Sequence, residues 1–129
     1  MNTAGAATND TSEIDREVAL ARQICERHAA QGGLPDKSAL HTLARFANWT
    51  SSVPELVLFV QYQGARRTAK DQDDPAAKNQ GAFFSELAGQ IDQVCNGDIE
   101  RARRVLGFVV RAGTVMHAGS GKDSKAGTR

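Results

Sequence analysis

Apolar residues recur along this chain at steps of three and four, the period of a helix with one buried face. Ile14, Val18, Ala21, Cys25 and His28 make the first such stripe. It opens behind Thr11 or Ser12, good N-cap residues, with Glu13, Asp15 and Glu17 in the first turns. It closes at Gly32-Gly33 with Pro35 beyond. A second helix is expected from Asp36 or Ser38 to Ala47, turning Leu40, Leu43, Ala44 and Ala47 inward. Ser52-Val53-Pro54-Glu55 reads as a capping box with proline in the first turn, opening a third helix that runs to about Lys70. Leu56 to Val60 is apolar without interruption, so this helix is expected to be central. A strand is the rival reading of those five residues. The capping box and the polar continuation through Gln61–Lys70 favour a helix.

Asp71 to Gln80 is polar and acidic, contains Pro75 and reads as a loop. Phe84, Leu87, Ile91 and Val94/Cys95 mark a fourth helix that ends at Gly97. Asp98 caps a fifth, whose apolar arc is Ile99, Ala102, Val105, Leu106, Val109, Ala112 and Met116. Residues 1–11 and 119–129 are small, polar and stripe-free, and are expected to be disordered tails. The fold class is therefore all-α: one bundle of about five helices over 12–118, with disordered N- and C-terminal tails. A chain of 129 residues is one domain in size.

Composition narrows the function by exclusion. The N-terminus lacks the charged and apolar regions of a signal peptide, and no apolar run is long enough to span a membrane. Cys25 and Cys95 lie in apolar stripes and read as core thiols. A cytoplasmic protein without membrane contact is expected. His28, His41 and His117 are scattered and lack metal-ligand spacing, and His28 and His41 read as surface or half-buried helix residues. Asp71, Asp73 and Asp74 read as a solvated loop. No nucleophile motif or phosphate-binding glycine loop is present. We expect no catalysis, no cofactor and no metal.

Net charge is only +1, but it is unevenly spread. Residues 12–36 hold five acids against three arginines, whereas 61–70 hold three basic residues and no acid. Residues 98–118 hold four arginines against Asp98 and Glu100. On the third helix, Phe59, Tyr62, Arg66 and Lys70 share one face, with Arg67 beside them. A face running from aromatic to basic suits a base at one end and phosphates at the other. On the fifth helix, Arg104 and Arg111 fall opposite the apolar arc, and Arg101 and Arg103 flank it. If the third and fifth helices are neighbours, their basic faces join into one groove wall. A helix-turn-helix rhythm across 43–59 is set aside, because its second helix begins Val53-Pro54-Glu55-Leu56 and offers no base-reading side chain.

The segment Leu56–Ala118 carries Tyr62-Gln63-Gly64-Ala65-Arg66 at the end of an apolar helix. A loop follows, then Phe83-Phe84-Ser85-Glu86-Leu87, then an Arg-bearing helix from Arg104 to Ala118. This pattern resembles the small helical subunit of type III CRISPR effector complexes. The resemblance implies a non-catalytic, RNA-backbone-binding subunit of a multi-subunit RNA-guided antiviral ribonucleoprotein. It implies guide and target RNA and other subunits of the complex as partners, with head-to-tail self-association. Candidate RNA-binding residues are Tyr62, Arg66, Arg67, Lys70, Arg101, Arg104 and Arg111. The alternative is a helical protein-interaction adaptor or small oligomeric scaffold without nucleic acid, its basic face meeting an acidic partner.

Overall fold

In the computed structural model, backbone is described for residues 2–70 and 73–128, and side chains for 12–69 and 73–119. Both expected tails fall outside the described side chains, apart from Gly119. Five helices follow in order: α1 (Asn2–Ala30), α2 (Lys37–Trp49), α3 (Val53–Lys70), α4 (Pro75–Cys95) and α5 (Ile99–Thr128). Among the described residues there is no strand. Among the described residues no helix is long and apolar enough to cross a membrane.

Local chemistry sets most boundaries. Asp36 caps α2, accepting from the Ala39 amide at 2.8 Å. Asp98 caps α5, accepting from the amides of Glu100 at 3.1 Å and Arg101 at 3.3 Å, as expected. The α4 start departs from expectation. Asp74 accepts from the Ala76 amide at 3.0 Å with Pro75 in the first turn, so half of the expected loop is helix and Asp74 is its cap. The α4 end is a left-handed turn: Asn96 has φ 46° and Gly97 φ 84°. At α3 the Ser52 hydroxyl accepts from the Glu55 amide at 3.3 Å, but the Glu55 carboxylate accepts from the Thr50 hydroxyl, not from the Ser52 amide. The Ser52 amide donates to Thr50 Oγ1 at 3.2 Å instead. The expected reciprocal box is thus replaced by one routed through buried Thr50.

α5 is the hub. It runs parallel to α1, with Glu17 beside Arg101 and Cys25 beside Val109. It runs antiparallel to α2, with Arg103 beside Ala47 and Gly113 beside Leu40. α3 and α4 form a tight antiparallel pair, and α4 joins this pair to α1 and α5. Tightness there depends on glycine: a Cβ on Gly64 would lie 2.7 Å from Phe84 Cβ. The core gathers Ile24, Leu40, Leu43, Leu56, Val60, Phe83, Phe84, Leu87, Ile91, Val105, Leu106 and Val109. Cys25 and Cys95 are buried free thiols within it, and desolvation raises both pKa values to about 11.

Two expectations change. α3 is not central: Leu56 and Val60 are buried, Val57 and Phe59 are half-buried, and Leu58 is 65% exposed. Its apolar run covers every side, yet only the side toward α4 is fully covered. His28 is not a surface residue. It is 5% exposed, its Nε2–H donates to Glu86 Oε1 at 2.7 Å, and its ring meets Phe83 edge-on. Arg27 reaches the other oxygen of Glu86 at 2.9 Å, so the C-terminal end of α1 is tied to α4 through one carboxylate.

Candidate nucleic-acid interface

The arginines of α5 do not form the basic face, with Glu100 as its one acid, that their own helix suggests. Glu17, one of the acids expected to serve the start of α1, lies in mid-helix and turns to α5 with 1% of its surface exposed. Arg104 donates to it through Nε at 2.6 Å and Nη2 at 2.8 Å, and Arg101 through Nε at 2.8 Å. Glu13 adds a second carboxylate to Arg101 at 3.4 Å. Hydrogen bonds from Arg104, then Arg101, hold the Glu17 carboxyl below its ordinary range against the opposing effect of burial. A planar fork on a carboxylate accounts for both arginines at these positions without a phosphate. Arg103 is spent differently: it donates to the carbonyls of Ala47 at 2.9 Å and Thr50 at 2.8 Å, closing the C-terminal end of α2.

The single groove wall expected from α3 and α5 does not form, because α3 packs chiefly on α4 and makes no substantial contact with α5. Arg111 is exposed, but it borders a different cleft of about 430 Å³ with Val18, Arg22, Glu26, Phe108 and Val115, between α1 and α5. The Lys70 side chain lies outside the described residues.

The outer face of α3 keeps Tyr62, Arg66 and Arg67 together. Tyr62 is 55% exposed, and the Arg66 guanidinium lies over its ring, 5.6 Å from the centroid. Arg66 is exposed and has no acidic partner among the described residues. Beside it, Gln63, Arg66, Arg67 and Ala69 line a cleft of about 500 Å³. Arg67 is anchored at its inner side: Nη1 donates to Gln80 at 2.9 Å, and the guanidinium lies 5.3 Å from the Phe84 centroid. Its Nε is buried with no acceptor among the described residues. Phe59 stacks face to face on Phe46, with centroids 3.9 Å apart and planes 10° apart, so it belongs to the α2–α3 contact.

Among the described residues no group of three His, Cys, Asp or Glu side chains could hold a metal ion. The chemistry that the α3 face offers is anion recognition with an aromatic ring beside it. Comparison with protein-family models, curated proteins and solved structures finds no match. Glu17 is the residue that sequence reasoning missed. Its one signal was that Asp98 and Glu100 are too few to meet the four arginines of α5.

Proposed function

We propose that this chain is a non-catalytic RNA-binding subunit of a larger ribonucleoprotein, holding RNA backbone on the outer face of α3. The resemblance of Tyr62-Gln63-Gly64-Ala65-Arg66 and its flanking helices to the small subunit of type III CRISPR complexes suggests an RNA-guided antiviral assembly. The observation that carries the reading is the exposed Tyr62–Arg66 pair beside the Arg67 cleft, with no carboxylate set against it among the described residues. An exposed arginine held over an aromatic ring presents donors to a phosphate at little cost in side-chain order. Contact with phosphates carries no sequence information, so specificity would come from base pairing between guide and target. Arg101 and Arg104 leave the site and become structural.

The test is duplex RNA binding at several salt concentrations. Arg66→Glu is expected to weaken binding about tenfold or more and to reduce the salt slope by about one, with helical content unchanged. Wild-type protein that binds no RNA, or an Arg66→Glu variant that binds as wild type does, would overturn the reading. Purification from the host tests the assembly: short RNAs and several larger proteins are expected to come with it.

A further inference from the structure

α2 divides sharply into two sides. Ala39, Leu40, Leu43 and Ala47 are buried, while Lys37, His41, Arg45 and Trp49 are all exposed. These four follow one another at steps of four, so they form a stripe winding slowly along the outer side of the helix. Helix stability does not ask for them. α2 contains no acid, and Lys37 sits in the first turn, where the helix dipole disfavours a cation. The nearby acid, Asp36, spends its carboxylate on the Ala39 amide. Neither Lys37 nor Arg45 has an acidic partner among the described residues.

Trp49 ends the stripe and is the one tryptophan in the chain. It is 74% exposed, although an indole is among the side chains that gain most from burial. It leans on Phe46 at 5.4 Å between centroids, and Phe46 stacks on Phe59 of α3. One turn beyond Phe59 comes Tyr62, and Arg66 lies over it. Ring contacts therefore run from Trp49 across the α2–α3 corner to Phe59, one turn before Tyr62 on α3.

We propose that α2 is a track for an unpaired RNA strand, with Lys37, His41 and Arg45 holding successive phosphates and Trp49 stacking on a base. This deepens the α3 reading and rests on it. The α3 face holds backbone, and the α2 stripe adds a surface that accepts only bases free to unstack. Steps of four on a helix advance roughly 6 Å, more than the roughly 3.4 Å rise of a stacked strand, so these side chains meet successive phosphates only of a strand that is drawn out and unstacked. An exposed indole flanked by cations is the usual platform for single strands, because every base has a π-face, whereas a duplex hides its faces. An acidic peptide would use the cations but has no need of the exposed ring.

The experiment titrates the full chain with an oligouridylate of about 12 nucleotides. Emission of Trp49 is followed directly, and binding is followed in parallel by anisotropy of labelled oligonucleotide. Saturable quenching is expected. Trp49→Leu and Arg45→Glu are each expected to weaken single-strand binding about tenfold, with the circular dichroism of the wild type. If both variants bind oligouridylate as the wild type does, the α2 inference fails. It also fails if polyglutamate competes as well as oligouridylate does and Trp49→Leu changes nothing, since the stripe then serves an acidic protein. Arg66→Glu separates the two readings. Duplex binding lost with Arg66→Glu but kept with Arg45→Glu, while neither variant affects the single strand, sinks the α2 track alone. Single-strand binding lost with Arg45→Glu, with duplex binding untouched by Arg66→Glu, sinks the α3 reading and leaves the track.

Discussion

Glu17 shows how one side chain can redirect the reading of two others. It is a buried carboxylate whose charge is met by two guanidiniums from a helix 84 residues further along the chain. Removing one member of a buried ion cluster leaves the rest unpaired, so Glu17→Gln is expected to lower stability by about 2–4 kcal/mol in chemical denaturation. The pH dependence follows from the depressed pKa. Unfolded, the carboxyl titrates near its ordinary 4.5; folded, it titrates lower. Its contribution is therefore complete above that ordinary value and is lost as pH falls through the lower, folded one. Glu17→Gln is expected to flatten the acid limb of the stability curve, and urea midpoints across acidic pH would show it. The cysteines make an opposite case. With pKa values pushed up to about 11 by burial, neither Cys25 nor Cys95 has thiolate to offer at neutral pH. Iodoacetamide at about pH 8 is expected to label both in denaturant and neither in the folded protein, read by mass.

At the scale of elements, periodicity and caps located α2, α3 and the start of α5 to within a few residues, because those signals are local, whereas α1 begins at Asn2 and α5 ends at Thr128, both well outside the expected bounds of 12 and 118. The same signals misjudged α3. Leu58 belongs to a run that looks buried on every side, yet it points away from α4 into solvent. What holds α3 in place is close approach to α4 at Gly64 and Gly81. A Cβ on Gly81 would collide with Thr68 Oγ1, and one on Gly64 would crowd the Phe84 Cβ. Gly64→Ala is expected to cost about 1–3 kcal/mol, because neither helix backbone can give way without moving the other. Thermal melting of that variant checks it, and Gly89→Ala is the control, since a Cβ there meets nothing within 4 Å.

At the scale of the molecule, α5 packs on both α1 and α2, while α3 is held chiefly by α4. Native-state hydrogen exchange is expected to find the slowest amides in Val105–Val110 of α5 and Phe83–Ile91 of α4, with those of α3 exchanging sooner. Equal protection across α3 and α5 would contradict this ranking. The candidate interface follows the same division. It lies on α3 and α2 and uses none of the side chains of the Glu17 cluster that binds α5 to α1.

Helix number, the all-α class, most inward positions of α2, α4 and α5 and the Asp98 cap were determined by the sequence alone, whereas the expected α1 stripe included exposed Ile14 and left out buried Ile24. Each of the former depends on residues within about one turn of each other, where spacing maps directly onto space. Tyr62 and Arg66 were legible as a pair for the same reason. Only the tertiary structure decided which arginines remain free. Arg66 and Arg101 look alike in the sequence, but Arg101 meets Glu17 because α1 and α5 lie parallel, and Arg66 lies over Tyr62 with no acidic partner among the described residues. The tertiary structure likewise joined Trp49 to α3, through a stack between Phe46 and Phe59 that no spacing within a single helix predicts. Charge pairing and ring stacking act between surfaces, and which surfaces meet is settled by the packing of whole helices.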